Sequence, residues 1–143
     1  MKHFILVLFV FTFGIFLSGC KSSQVNYKNI ENKVWTLIQV EKNNVTESNP
    51  SLTFDFVNQR ISGFAGCNQM SASLEMVKEP NSIRISLPVA TRKACLNMNT
   101  EKLLLEKIVL VHFFELNETG RTLQLLDSTG NLLFLFQEGS SAQ

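Results

Sequence analysis

Residues 52–68 have the sequence Leu-Thr-Phe-Asp-Phe-Val-Asn-Gln-Arg-Ile-Ser-Gly-Phe-Ala-Gly-Cys-Asn. Apolar Leu52, Phe54 and Phe56 alternate with polar residues, which is the two-residue period of a strand with one buried face. The Asn-Gln pair that follows predicts a turn, after which the chain returns antiparallel as far as Phe64. The stretch therefore predicts a β-hairpin that leads directly into a glycine-rich turn.

Similar β-rich segments lie on both sides of this hairpin, at the short spacing that is typical of β-rich domains. In the first of them, Trp35 and Leu37 are expected on one face and Val34, Ile38 and Val40 on the other. With the single helix described next, these strands predict an α+β domain with a curved, mostly antiparallel, barrel-like sheet. The predicted strands are residues 34–40, 52–57, 60–64, 70–77, 82–87, 113–116, 122–126 and 132–136.

The hydrophobic period changes to that of a helix over residues 99–110. Leu104, Ile108 and Val111 fall at i, i+4 and i+7, so they predict the buried face. The Asn-Thr pair at the start of this segment is expected to supply the amino-terminal cap. Glu101 lies in the first turn, where a negative charge interacts favourably with the helix dipole.

The overall composition excludes several classes of protein. The 143 residues include 13 Lys and Arg against 12 Asp and Glu, a formal net charge of +1. No basic excess is present to attract nucleic acid, so no nucleic-acid partner is expected. Removal of a 19-residue leader would leave 124 of the 143 residues, which is enough for one domain.

The first 19 residues have the three parts of a secretory signal peptide. Lys2 provides a basic start, residues 4–17 are almost entirely apolar, and small residues precede Cys20. This apolar run is shorter than the roughly 20 residues that a membrane-spanning helix needs. The last four residues, Leu-Ser-Gly-Cys20, resemble the lipobox of bacterial lipoproteins, in which the leader is cleaved before the Cys and the Cys is acylated. A plain signal peptide followed by an incidental Cys is the alternative.

This interpretation divides the chain into a signal peptide at 1–19, a lipidated flexible tether at 20–32, a folded domain at 33–138 and a polar tail at 139–143. The tether is assigned because its residues are mostly polar and have no clear period. A lipid on Cys20 would anchor the domain to a membrane of the bacterial cell envelope, facing the periplasm or the surface. The absence of Asp beside Cys20 resembles the sorting pattern that favours the outer membrane.

Cys67 and Cys95 form an even pair once Cys20 carries lipid. Because the lipobox predicts export to an oxidising compartment, a disulfide between them is the simplest expectation, with two buried free thiols as the alternative. A redox-active pair is disfavoured because no Cys-x-x-Cys is present. A metal site is also disfavoured, because two sulfurs are half of a zinc shell and His112 is the single histidine after the leader. We therefore expect no metal and no other cofactor.

Two glycines three residues apart, Gly63 and Gly66, follow the returning strand of the hairpin. Such glycines indicate a positive φ or a close approach of two backbones. The stretch lacks the Lys-Ser/Thr pair and the following helix of a phosphate-binding loop. Asn68 can close the turn through its side chain. The pattern favours a structural bend held by Cys67 over a ligand site.

The segments Gly-Phe-Ala-Gly-Cys-Asn at 63–68 and Thr-Arg-Lys-Ala-Cys at 91–95 together resemble the paired signature of the META domain, the HslJ-like lipoprotein family. The resemblance covers about residues 33–137, from a Trp-x-Leu strand to a final pair of Leu-x-Leu strands. The motif residues that it marks are Gly63, Gly66, Asn68, Thr91 and the two cysteines.

The resemblance implies a small α+β or barrel-like domain, often found in lipoproteins or secreted proteins. Members of the family are linked to heat-shock induction, to novobiocin resistance and, in some parasites, to virulence or motility. No catalytic residues are established for the family, so the resemblance assigns none to this chain.

The remaining residues do not suggest a catalytic site. His112 has no second histidine for a relay, and nothing marks Asp55 and Glu75 as a general acid and base. The sequence therefore favours a non-enzymatic envelope lipoprotein that binds an unknown envelope protein or ligand, and the family resemblance implies a role in envelope or heat stress and drug tolerance. The alternatives are a carrier of a small apolar ligand, with a pocket lined by Phe54, Phe56 or Phe136, and an enzyme with Cys67 as nucleophile.

Overall fold

The computed structural model describes residues 27–46 and 48–139. The predicted signal peptide, the predicted acylation site at Cys20 and the end of the predicted polar tail lie outside the described residues. Within the described ranges, no helix is both long enough and apolar enough to cross a membrane.

The described residues form a ten-stranded sheet in which all paired strands are antiparallel. The strands are β1 Trp35–Val40, β2 Asn43–Asn44, β3 Ser51–Asp55, β4 Arg60–Phe64, β5 Gln69–Met76, β6 Ile83–Ile85, β7 Val89–Ala90, β8 Phe113–Leu116, β9 Thr122–Leu126 and β10 Leu132–Glu138. Their order is β6-β5-β4-β3-β1-β10-β9-β8, with β2 beside β1 and β7 beside β5. The helix α1, Asn99–Lys107, continues into a 3-10 turn at Ile108–Leu110.

The two ends of this strand order meet and close the sheet into a barrel. Ser82, next to β6, forms an isolated bridge with Phe113 of β8. Two backbone hydrogen bonds accompany the bridge: the Ile83 N–H donates to His112 O, and the Phe114 N–H donates to Asn81 O, both at 2.9 Å. The predicted α+β class with a curved, barrel-like sheet is therefore confirmed.

Large apolar side chains fill the interior of the barrel. The predicted hairpin of β3 and β4 contributes Phe54, which lies opposite Ile61 and is fully buried. Because an eight-stranded barrel encloses a space that side chains can fill, a packed core is the expected outcome for a chain of this size. Each such side chain contributes about 1.5–3 kcal/mol to the stability of the fold when it is transferred from water into the core. The largest fully buried residues include Trp35, Phe54, Phe114, Phe134 and Phe136.

The helix packs its predicted face into this core, since Leu104, Ile108 and Val111 are all buried. The predicted cap is wrong, because Met98 occupies the N-cap position and no side chain caps the helix there. The Asn97 side-chain oxygen instead accepts a hydrogen bond from the backbone N–H of Asn99, at 3.1 Å.

The predicted faces of β1 also need one correction. Its pairing with β10 shifts register between Leu37 and Gln39. Such an irregularity places one extra residue in the strand and changes the side to which the following residues point. As a result, Val40 is buried like Trp35 and Leu37, whereas the sequence pattern predicted it on the opposite face.

Residues 27–32, which the sequence assigned to the flexible tether, are packed onto the barrel. The Tyr27 ring lies 4.9 Å from that of Phe56. Ile30 is fully buried, and its carbonyl accepts a hydrogen bond from the Trp35 indole at 3.0 Å. The 3-10 turn at Tyr27–Asn29 aligns residues three apart, so a stretch that is polar overall still presents two apolar side chains to the core. The described part of the folded domain thus begins before Lys33.

Candidate functional site

The glycine-rich turn connects β4 to β5 at one end of the barrel, and its two glycines have different roles. A Cβ at Gly63 would overlap the backbone carbonyl of Ser51 on the paired strand β3. Gly66 has a φ of +126°, which L side chains rarely adopt. After these residues, the Ala65 N–H donates to Asn68 O at 2.8 Å and closes the turn.

Cys67 and Cys95 form a disulfide, as predicted, across 28 residues of sequence. The bond joins the turn to residues 91–98, which connect β7 to α1. This connection contains little regular structure of its own. The disulfide and the hydrogen bonds near it therefore hold the connection against the barrel.

Glu101, in the first turn of α1, extends its carboxylate into the glycine-rich turn. Its Oε2 atom accepts hydrogen bonds from the backbone N–H groups of Cys67, at 2.9 Å, and Asn68, at 2.6 Å. Its Oε1 atom accepts a third bond from the Asn68 side-chain amide at 2.7 Å. A buried carboxylate is stabilised by such donors, because each charge-assisted bond is stronger than a neutral one. Glu101 therefore satisfies the backbone N–H groups at a turn that no strand partner reaches.

Asn68 also binds the second half of the motif, the segment at 91–95. Its side-chain oxygen accepts hydrogen bonds from the Thr91 hydroxyl, at 2.8 Å, and from the Lys93 backbone N–H, at 2.7 Å. The Thr91 hydroxyl also accepts the Gln69 N–H at 3.2 Å. The structure thus brings together Gly66, Cys67, Asn68, Thr91, Cys95 and Glu101, which we call the motif cluster.

The motif cluster is closed to solvent at its centre. Asn68 is 1% exposed and Glu101 is 4% exposed. Both carboxylate oxygens of Glu101 and the side-chain oxygen of Asn68 already accept hydrogen bonds from the chain itself. This geometry holds three segments of the domain together and leaves little room for a substrate to reach the carboxylate.

Sequence reasoning missed the part played by Glu101. Its position in the first helical turn indicated only a favourable interaction with the helix dipole, and its negative charge gave no sign of burial. One argument could have indicated a buried acceptor such as Glu101. If the turn is buried, the backbone N–H groups at positions 67 and 68 need hydrogen-bond acceptors from elsewhere in the chain.

The other polar candidates do not join the cluster. The ring of His112 packs edge-on against that of Phe113, with centroids 4.5 Å apart. Asp55 accepts hydrogen bonds from the side chain and backbone N–H of Asn58, which lower its pKa. Glu75 pairs with Arg84 on the neighbouring strand at 3.5 Å. Each of these groups has a local structural partner.

Three surface hollows of about 350, 450 and 550 Å³ lie on the outside of the described barrel. The largest of these three lies over β4, β5 and β7 and has a mixed lining of polar residues, such as Arg60, and apolar residues, such as Met70 and Val89. None of the three is lined by Phe54, Phe56 or Phe136, the residues that an apolar-ligand carrier was expected to use. Those rings instead lie in the core.

The fold and the motif cluster define a small disulfide-linked β-barrel domain. A family model for the META domain matches residues 28–140, so the chain belongs to the META domain family. The match begins within the segment at 27–32 that packs onto the barrel.

Solved structures share this fold at low sequence identity. A solution structure of a protein from Burkholderia xenovorans has a TM-score of 0.61 and 16% identity, covering 80% of this chain and 86% of that one. A second solution structure has a TM-score of 0.61 and 18% identity, with coverages of 80% and 95%. A crystal structure of a DUF4847 family protein from Bacteroides vulgatus has a TM-score of 0.57 and 9% identity, with coverages of 81% and 99%. No curated protein matches this chain.

Proposed function

We propose that this META-domain chain is a lipoprotein of the bacterial cell envelope that acts by binding other envelope components rather than by catalysis. Its anchor is the lipid on Cys20, and its role is in envelope or heat stress and tolerance of hydrophobic drugs. The observation that supports the proposal is the motif cluster. The carboxylate of Glu101 and the side chain of Asn68 already form hydrogen bonds within the domain and so help to hold it together.

Two further observations support the location. The sequence Leu-Ser-Gly-Cys20 after an apolar leader resembles a lipobox. The Cys67–Cys95 disulfide is of the kind that persists in oxidising compartments such as the periplasm and is rare in the cytosol. Both features favour a domain that works outside the inner membrane.

The anchor is tested by labelling cells with an alkyne analogue of palmitate during expression of the full chain. The wild type is expected to take up the label, whereas the Cys20→Ala variant does not. The matched control is the double variant Cys67→Ser and Cys95→Ser, which lacks the disulfide and should label as strongly as the wild type. Equal labelling of wild type and Cys20→Ala would contradict the anchor.

The physiological role is tested in a deletion strain of the source bacterium, challenged with heat and with hydrophobic antibiotics. We expect reduced growth under at least one of these conditions, restored by the wild type and not by Cys20→Ala. Growth of the deletion strain equal to that of the parent under both conditions would overturn the stress role.

A further inference from the structure

The packing of residues 27–32 shortens the link between the proposed anchor and the barrel. Only residues 21–26 separate Cys20 from Tyr27. A chain extends by at most about 3.3–3.6 Å per residue, so Tyr27 can lie no more than about 25 Å from the Cα atom of Cys20. A domain that began at Lys33 would have been allowed about 45 Å by the same limit. The barrel is therefore held close to any membrane in which the lipid is inserted.

Tyr27 marks one particular end of the barrel, which we call the Tyr27 end. Its ring contacts Phe56, at the start of the turn between β3 and β4. Its hydroxyl donates a hydrogen bond to the carbonyl of Ser82, just before β6, at 3.2 Å. These two contacts fix Tyr27 beside the β3–β4 turn and the start of β6.

Two exposed apolar side chains lie at the Tyr27 end. Val57 follows Phe56 in the β3–β4 turn and is 81% exposed. Met76, the last residue of β5, pairs with Ile83 beside Ser82 and is 53% exposed. Exposed apolar residues of this kind enter the boundary between lipid headgroups and acyl chains. Two such residues bind a membrane weakly alone, but a short tether raises their effective concentration at the bilayer to the millimolar range.

The motif cluster lies at the opposite end. The β4 strand runs from the Tyr27 end to the glycine-rich turn, and β5 returns from Gln69 to Met76. At roughly 3.3 Å per residue, these eight residues separate the two ends by about 23 Å. Leu96, beside Cys95 and fully exposed, belongs to the far end.

We infer that the short tether holds the Tyr27 end of the barrel against the lipid surface, with Val57 and Met76 in contact with the bilayer, and directs the motif cluster away from it. This inference rests on the acylation of Cys20 in the proposed function. The surface that contacts the Tyr27 end is thus the membrane itself. The far end, with Lys93 to Leu96, is left for contact with other envelope components.

The test uses the acylated protein that begins at Cys20, reconstituted in vesicles of phosphatidylcholine brominated near the interface. Single tryptophans are introduced by Val57→Trp, Met76→Trp, Val89→Trp and Leu96→Trp, all at exposed positions. The native Trp35 is fully buried, and its signal is subtracted with the wild-type protein. Bromine quenches tryptophan at short range, so the loss of fluorescence reports which side chain meets lipid.

We expect strong loss of fluorescence for Val57→Trp and Met76→Trp and little for Leu96→Trp. Quenching of Leu96→Trp equal to that of both Tyr27-end variants would overturn the orientation, and so would strongest quenching at Val89, which would place the barrel on its side. Mass spectrometry of the same samples separates the two proposals. Absence of lipid on Cys20 would contradict the proposed function, whereas acylated protein without the expected pattern would contradict the orientation alone.

Discussion

The carboxylate of Glu101 binds Asn68 twice, through the backbone N–H at 2.6 Å and through the side-chain amide at 2.7 Å, across 33 residues of sequence. This contact joins α1 to the turn between β4 and β5, while the disulfide joins the same turn to the connection that precedes α1. The family signature therefore describes how the domain is closed at one end. Its residues are accounted for by hydrogen bonds and a disulfide within the domain.

Substitution of Glu101 by Gln should destabilise the domain. Gln has one acceptor oxygen where Glu has two. Its side-chain NH2 group, a donor, would therefore face either the two backbone N–H groups or the Asn68 side-chain amide, which are also donors. We expect a loss of about 2–4 kcal/mol in the free energy of unfolding, measured by urea denaturation. The matched control is Glu106→Gln on the same helix, whose exposed 3.9 Å pair with Lys102 should contribute less than about 0.5 kcal/mol. Equal effects of the two variants would refute the structural role.

Substitution of Gly63 by Ala should damage the β3–β4 pairing. The added Cβ would overlap the Ser51 carbonyl, and the clash is with backbone that cannot rotate away. We expect a cost of at least about 3 kcal/mol, or failure to fold. Gly120→Ala is the control, since its φ of +70° is strained for Ala but nothing lies within 4 Å of the new Cβ. That variant should lose only about 1–2 kcal/mol in the same unfolding experiment.

Loss of the disulfide should lower stability without changing the fold. Closure of the 28-residue separation between Cys67 and Cys95 constrains the unfolded chain by about 3–4 kcal/mol in the entropic account. The double variant Cys67→Ser and Cys95→Ser should therefore melt at a lower temperature while keeping its circular dichroism spectrum. In the wild type, neither residue should react with a thiol reagent after denaturation without reductant. Reaction at both positions would be incompatible with the bond.

Residues 27–32 should contribute to stability as part of the core. Ile30→Ala removes a fully buried side chain, and we expect a loss of about 2–4 kcal/mol by chemical denaturation. Asn29→Ala, at an exposed position in the same 3-10 turn, should change stability by less than about 0.5 kcal/mol. If Ile30→Ala were equally mild, the segment would behave as a tether.

The turn between β9 and β10 should show a measurable pH dependence. The Thr129 hydroxyl and the Asn131 backbone N–H donate hydrogen bonds to Asp127 and hold its pKa well below the ordinary value of 3.8. Since the folded-state pKa is the lower one, this contribution is complete above the unfolded pKa of about 4 and is lost as pH falls through the folded value. The advantage of wild type over Asp127→Asn should therefore shrink in acid. Carbon NMR titration of Asp127 with an ordinary pKa would contradict the arrangement.

Much of the sheet could be predicted because its strands alternate clearly. Phe54 and Ile61 face each other in the core, as the two-residue period of the hairpin indicates. Val40 could not be placed correctly, because an irregularity in pairing leaves no mark in the strand's own composition. The two-residue strand β7 was also missed, since a segment this short has no period to detect.

The candidate site was predicted only in part, for a similar reason. The glycine-rich turn and the cysteine pair carry local signals in residue type and spacing. Glu101 does not, because its partners are 33 and 34 residues away and its burial depends on where α1 meets the turn. The packing of Tyr27 and Ile30 could not be predicted, because their neighbours in the sequence are polar. The 3-10 turn nevertheless brings both side chains to the barrel.

The central claim is that this is a lipid-anchored, disulfide-linked domain whose motif residues maintain its structure. Intact-mass and peptide mass spectrometry of the protein extracted from membranes tests this claim most directly. We predict an amino-terminal Cys20 carrying a diacylglycerol and a peptide pair joined through Cys67 and Cys95. An unmodified amino terminus at residue 20, together with two reduced sulfurs, would contradict the account.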